Sequence, residues 1–388
     1  MTHHRNIKIL TLFNFFTDFK LYAPIAVIYF TTVTGSFALA MGVFSLVMIS
    51  SAVFEIPTGI FSDRIGRKKT IMLGAAAAVL FSIFYAIGQS FWILAIGAIF
   101  EGLSRAFYSG NNDALLHDTL AESKSVHLYG EILGKTRSMF QWALGISALV
   151  GGIISIWSFP LIMWLSVLPQ VICLYYSFKI IEPSFRTNES GNIYSHLSES
   201  IKNFIYNKKL RLLSLSSIFG YAFGETSFLF VPAFFNTLWP IWAIGLARTI
   251  SNISGALSFH FSGRLIKKFG GIKIMIIDNV TNRFINIFST LFPSIFSPLF
   301  MSMTSIFYGV TTVAKNTLMQ REFRDEQRAT MSSLDSLAGS IVFCILAVFV
   351  GVVADSLSPA RAILILQFFQ VMNLFIYLKL FRYTKAEK

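Results

Sequence analysis

Charge is scarce in this chain. Only 13% of its 388 residues are Asp, Glu, Lys or Arg, while 54% are hydrophobic; soluble globular domains carry roughly 25% charged residues. That shortage excludes an ordinary water-soluble domain, because too little polar surface is left to cover so much apolar side chain. Cysteine is scarce as well. Cys173 and Cys344 both lie in apolar runs, where two unpaired buried thiols are expected and no redox compartment is indicated. The six histidines are scattered apart from His3-His4, and no zinc spacing occurs, so no metal site is expected. His117 and His260 read as packing or interface residues. Gly130…Gly134-Lys135-Thr136 has three residues between its glycines where a phosphate loop needs four, and no strand precedes it, which excludes an ATPase site of that kind. Ten-residue alternation of apolar and polar positions is absent, which excludes an outer-membrane barrel.

What is present is a series of long apolar runs, at about 7–30, 37–61, 70–88, 91–115, 138–158, 160–180, 211–236, 240–263, 272–292, 295–317, 331–353 and 358–380. A helix needs about 20 apolar residues to cross a hydrocarbon core of roughly 30 Å, and in lipid a helix satisfies its own backbone hydrogen bonds. The sequence therefore predicts twelve transmembrane helices. The first run follows Arg5 and Lys8, carries Asp18 and Lys20 and has no small-residue cleavage site, so it reads as a retained helix and not a signal peptide.

Basic residues are spread unevenly over the connections. With the N-terminus inside, 26 of the 32 Lys and Arg fall in inside segments, five lie within helices and only Arg361 falls in an outside turn. The positive-inside rule is met in that orientation and violated in the other. It accounts for the net charge of +13 without a nucleic-acid partner, and it places both termini in the cytoplasm.

The longest connection, 181–210, separates two sets of six runs, giving bundles at 1–180 and 211–388. Within it Leu197, Ile201, Phe204 and Ile205 recur at helical spacing, which predicts an interfacial amphipathic helix. The two halves repeat. Glycines seven apart, Gly59 with Gly66 and Gly263 with Gly270, occupy the connection after the second helix of each half at an offset of 204. Thr11, Asn14, Asp18 and Tyr22 correspond to Ser214, Ser217, Tyr221 and Glu225 at an offset of 203. Glu101, Arg105, Tyr108 and Asn112 correspond to Thr304, Tyr308, Thr311 and Lys315 at the same offset, while Phe107-Tyr108 and Phe307-Tyr308 offer a rival offset of 200. Repeats of this kind suit transporters in which two bundles rock about a site; they disfavour a channel.

The segment Gly59-Ile-Phe-Ser-Asp63-Arg64-Ile-Gly66-Arg67-Lys68-Lys69, preceded by Glu55-Ile-Pro57, together with Ser109-Gly110…His117-Asp118, resembles the major facilitator superfamily, and its bacterial exporter-type members in particular. The resemblance covers the chain and implies an all-α integral membrane fold of twelve transmembrane helices in two pseudo-symmetric six-helix bundles. It also implies a conformational switch formed by Gly59, Asp63, Arg64, Gly66, Arg67 and Asp118. On physical grounds Gly59 permits close helix approach, and Asp63 suits the N-terminus of another helix. The resemblance makes that helix the eleventh, starting near Ser332, and pairs Arg67 with Asp118. The fifth helix departs from the family's antiporter pattern: Ser147-Ala148-Leu-Val-Gly151-Gly152 lacks the first glycine and the proline.

Ionisable residues well inside the runs comprise the acids Asp18, Glu55, Glu101, Glu225 and Asp278 and the bases Lys20, Arg105, Arg248, Arg283 and Lys315. Each is costly in lipid and calls for a partner or a wet cavity. Glu101 and Arg105, four apart, can pair locally; Glu225 and Arg248 lie at similar depth; Asp278 sits near an inner helix end. Lys20 lies about 200° from Asp18 around a regular helix, so the two cannot share one face. The resemblance makes helices 1, 4, 7 and 10 the cavity lining, which places Asp18, Tyr22, Glu101, Arg105, Tyr108, Tyr221, Glu225, Tyr308 and Lys315 in a substrate and proton cavity. The expected function is secondary active transport of a small molecule: proton-coupled export of a drug-like compound or metabolite by antiport, with proton-coupled import of a polar nutrient or metabolite as the alternative and a membrane-embedded enzyme behind both. No cofactor beyond a proton gradient is expected. The expected partners are the small-molecule substrate and the lipid bilayer, the chain is expected to be a monomer, and its place is the inner membrane of a bacterium.

Overall fold

The computed structural model describes residues 2–183, 204, 206–322 and 328–386, with side chains left out at 2–4, 56, 60, 63, 137, 321, 328–332 and 384–386. Among these residues every regular element is helical. The chain divides into two compact units. One comprises Met1–Glu189 with Ile241–Thr249, the other Ser190–Pro240 with Ile250–Lys388. The amphipathic helix predicted around Leu197, Ile201 and Ile205 lies outside the described residues.

Each predicted run is filled by one helix or by two in succession. In the first half α1 (Thr2–Asp18) and α2 (Ala26–Thr34) share the first run. They are followed by α3 (Phe37–Ile65), α4 (Arg67–Ile87), α5 (Phe91–Tyr108) and α6 (Asn111–Glu122), α7 (Tyr129–Ile154), and α8 (Phe159–Leu165) with α9 (Val167–Lys179). In the second half come α10 (Lys208–Phe235), α11 (Ile241–Phe269), α12 (Gly271–Leu291), α13 (Ser297–Met303) and α14 (Tyr308–Glu322), α15 (Arg328–Ser356) and α16 (Pro359–Ala386). Local chemistry sets several of these limits. Ser36 Oγ accepts from Leu39 N at 3.3 Å, Ser90 Oγ from Ile93 N at 3.5 Å and Asn207 Oδ1 from Leu210 N at 3.0 Å. Each satisfies an amide that the first turn of its helix leaves over.

Among the described residues eight spans are long and apolar enough to cross a membrane by composition alone. The four runs that miss that mark do so for physical reasons. The first is broken after Asp18 and the tenth at Thr304–Phe307. The eighth carries Arg248, Ser251, Asn252, Ser254 and Ser258, and the ninth carries Asp278, Asn279, Asn282, Arg283 and Asn286. The fourth run also differs from the sequence reading. A turn at Ser109-Gly110 breaks it, with Gly110 left-handed at φ 70°, and the polar α6 continues to Glu122. Lipid-facing surface is plain on the remaining helices, where Trp92, Ile345 and Phe375 are exposed.

Packing follows the same plan in both halves. The first run's α1 packs on α7 and α9, as α10 packs on α15 and α16; α4 packs on α9, as α12 packs on α16. The cores repeat with the sequence. Leu10, Ile71 and Leu116 are core residues of the first unit, and Leu213, Met275 and Met319 are core residues of the second, at offsets of 203, 204 and 203.

Candidate functional site

The break in the first run creates a heavily engaged charge in the first unit. Pro24 has no amide hydrogen, and its ring would meet the carbonyl of Lys20 in a continuous helix. Helix α1 stops at Asp18, Phe19 and Lys20 are irregular, and a 3-10 turn at Ala23–Ile25 restarts the chain. The freed carbonyls of Phe16 and Thr17 accept from Gln170 Nε2 of α9, at 3.3 and 3.4 Å. Lys20, released from helical geometry, puts Nζ 2.7 Å from Glu101 Oε1. Arg105 reaches the same oxygen at 3.3 Å, and Tyr85 donates to Glu101 Oε2 at 2.9 Å. Glu101 thus pairs with two cations and a phenol. Lys20 is not held 200° from Asp18, because no regular helix exists there. Tyr22, expected in the cavity, is buried edge-on against Tyr85 at 5.8 Å between ring centres.

Beside this cluster lies a polar pocket of about 360 Å³, bounded by Asn14 and Asp18 of α1, Tyr108, Asn112 and Asp113 around the α5–α6 break, and Thr136 of α7. Among the described residues Asp18 has no ion-pair partner within 4.0 Å. Asn112 Nδ2 donates to Asn14 Oδ1 at 3.4 Å. Tyr108 stands edge-on to Phe13 and is accommodated by Gly74, where a Cβ would come within 2.6 Å of its ring.

The switch segment is a helix joint. Gly66, at φ 98° and ψ 159°, ends α3 and begins α4, and Gly270, at φ 83° and ψ 138°, joins α11 to α12; glycine alone adopts such angles cheaply. Arg67 Nε lies 3.4 Å from Asp118 Oδ2, with Asp118 buried. Arg64 is exposed in the last turn of α3, where a cation complements the helix dipole. At Gly59, nothing among the described residues lies within 4 Å of the place a Cβ would take. The Asp63 side chain and that of Ser332 lie outside the described residues.

Sequence reasoning missed two partners of this segment. Asn111 donates to the carbonyl of Phe107 at 2.7 Å, accepts from Ser62 and lies 3.4 Å from Arg67 Nη1. It ties the helix break to the joint. Glu182 accepts from the amides of Arg67 and Lys68 at 2.9 and 2.7 Å, neutralising the positive end of α4.

The second unit has its own polar pocket, about 250 Å³, bounded by Ser217 and Tyr221 of α10, Lys315 and Asn316 of α14, and Asp335 and Ser336 of α15. Asn14, Asp18, Asn112 and Asp113 of the first pocket stand at the repeat positions of Ser217, Tyr221, Lys315 and Asn316, all at an offset of 203. This favours that offset for the tenth run over 200. Tyr308 agrees with it: Tyr308 is exposed and stands edge-on to Phe259 at 5.7 Å, away from this pocket. Glu225 is half-buried on α10 and is not on the pocket wall, and Arg248 is buried on α11. Asp278 accepts from Thr311 Oγ1 at 3.1 Å and from Asn282. Asp335 went unnoticed in the sequence; its signal was an acid inside the eleventh apolar run.

Comparison with known proteins places this geometry. The family model for the Major Facilitator Superfamily matches residues 9–347. An uncharacterized transporter of Buchnera aphidicola subsp. Acyrthosiphon pisum (strain APS) is 27% identical over 203 residues, covering 50% of this chain and 48% of that protein. The chain thus spans about half the length of this curated relative. The crystal structure of the nucleoside transporter NupG superposes with a TM-score of 0.80 at 15% identity, covering 97% of this chain and 100% of that one. That of a D-xylose-proton symporter superposes with a TM-score of 0.71 at 13% identity, covering 95% and 97%. At these identities the likeness is one of fold.

Proposed function

The chain belongs to the Major Facilitator Superfamily, and from that premise we propose that it is a secondary active transporter of a small polar molecule, working by alternating access and driven by a proton gradient. One observation carries this reading: two polar pockets stand at corresponding repeat positions, and one holds the carboxylate of Asp18 with no ion-pair partner among the described residues. A carboxylate so placed in an apolar helix can take up and release a proton as its pocket opens to one side or the other. Glu101 is unsuited to that task, because Lys20, Arg105 and Tyr85 already occupy its oxygens. The polar walls favour a metabolite over a drug-like compound.

The direction we propose is export by antiport, from the inner membrane of a bacterium with both termini cytoplasmic. Its support is the resemblance of Glu55–Lys69 to exporter-type relatives and the one-sided distribution of Lys and Arg. Import by symport is the second reading; a fold shared with a protein named as a D-xylose-proton symporter is compatible with it. Within this mechanism Gly59, Asp63, Arg64, Gly66, Arg67 and Asp118 form the switch, with the Arg67–Asp118 pair holding the joint. Comparison of metabolites inside and outside cells with and without the protein tests the function. A solute enriched outside when the protein is present supports export, enrichment inside supports import, and no change in either compartment contradicts transport. Asp63→Asn should abolish that transport while membrane insertion is kept; normal transport would remove Asp63 from the switch.

A further inference from the structure

The two pockets share repeat positions but not charge. In the second unit Tyr221 stands where Asp18 does, and Lys315 stands where Asn112 does. The second pocket also gains a carboxylate that the repeat does not require, Asp335 of α15. Asp335 is 9% exposed, and its Oδ2 has no hydrogen-bond partner among the described residues. Lys315 and Asp335 both border the pocket, yet no nitrogen–oxygen approach within 4.0 Å joins them or ties either to another charge among the described residues.

A buried carboxylate and an ammonium held apart are each expensive, because neither recovers the hydration it has lost. A cation in the pocket would compensate Asp335 alone, and an anion Lys315 alone. A molecule bearing both charges compensates both. A volume of about 250 Å³ is below the roughly 300–1,000 Å³ of drug-sized sites, so the molecule is small. We propose that this pocket is a substrate site for a small zwitterion of the amino-acid type, its carboxylate on Lys315 and its ammonium on Asp335. The assignment rests on the transporter reading above and adds to it a substrate class and a residue, Asp335, as a specificity determinant.

The test is thermal stability of the purified full chain in detergent, since a ligand that binds only the folded state raises the melting temperature with its concentration. The probes are the twenty standard amino acids and, for each one that stabilises, its amide and its N-acetyl derivative. At least one amino acid should stabilise, and its two derivatives should bind about tenfold more weakly or worse, as expected for loss of one charge-assisted contact. Asp335→Asn should erase the preference over the N-acetyl derivative, and Lys315→Gln the preference over the amide. Should those variants fail to fold, Asp335→Glu and Lys315→Arg should keep the wild-type order of the three probes. No stabilisation by any amino acid, or derivatives that bind as tightly as the parent, overturns the proposal. The same preparation in liposomes, offered a cell metabolite extract, separates the two levels. Transport of a neutral or singly charged solute alone overturns the zwitterion and spares the transporter; transport of nothing overturns the transporter reading itself.

Discussion

Lys20 Nζ lies 2.7 Å from Glu101 Oε1, a contact possible because the first run breaks before it reaches Lys20. The pair is structural in character, since both groups are largely buried and Arg105 shares the same oxygen. Removing one member of a buried pair leaves the other uncompensated, at a cost of roughly 3–5 kcal/mol. Arg105 is 47% exposed, which places Glu101→Gln toward the lower end. A clear fall in the melting temperature of the purified variant is the expected outcome; an unchanged melting temperature contradicts the structural role.

Asp18 contrasts with Glu101 and should behave differently on substitution. Asp18→Asn should fold with near-normal stability, because no ion pair within 4.0 Å is lost among the described residues. It should exchange substrate for substrate across liposomes as the wild type does, yet fail to respond to an imposed pH gradient. Gradient-driven transport by Asp18→Asn would assign the proton to another group.

The glycines of the switch segment separate on substitution. Gly66→Ala and Gly270→Ala force a side chain into backbone angles costing roughly 1–3 kcal/mol, so each should lower the melting temperature. Gly59→Ala meets nothing within 4 Å among the described residues and should leave the melting temperature alone. Equal losses for Gly59 and Gly66 would mean that the joint geometry is not what requires glycine.

Gln170 holds the end of α1. Gln170→Leu strips its donor from the carbonyls of Phe16 and Thr17. It also removes a buried Oε1 that has no hydrogen-bond partner among the described residues, which offsets part of the loss and leaves a net cost of about 1 kcal/mol. Hydrogen exchange of the amides around 16–22 should quicken in this variant; unchanged exchange would show that the break needs no support from α9.

Much of the fold was legible because the bilayer simplifies the code. Apolar runs marked the helices, and the glycines at an offset of 204 and the polar stripes at 203 marked the repeat. What the sequence hid were the breaks. Pro24 and Gly110 interrupt runs that remain apolar in composition, so a helical wheel drawn through Lys20 or beyond Tyr108 projects side chains in the wrong directions. Tyr22 and Tyr308, which the resemblance places in the cavity, border neither of the two pockets. The local pair Glu101–Arg105 could be read from its spacing, but the partner that Glu101 takes from the first run could not. Pairing depends on contacts such as Lys20 with Glu101, 81 residues apart, and no spacing rule links those. Asp335 was visible as an acid in an apolar run, and only the packing of α10, α14 and α15 gives it a pocket.

The most direct measurement is transport in liposomes holding the purified chain and a cell metabolite extract, with an imposed pH gradient as the only energy source. The account predicts that at least one small polar solute moves against its own concentration gradient, and that a protonophore abolishes the movement while ATP has no effect. Movement that requires ATP, chemical conversion of the solute, or movement indifferent to the protonophore would contradict it.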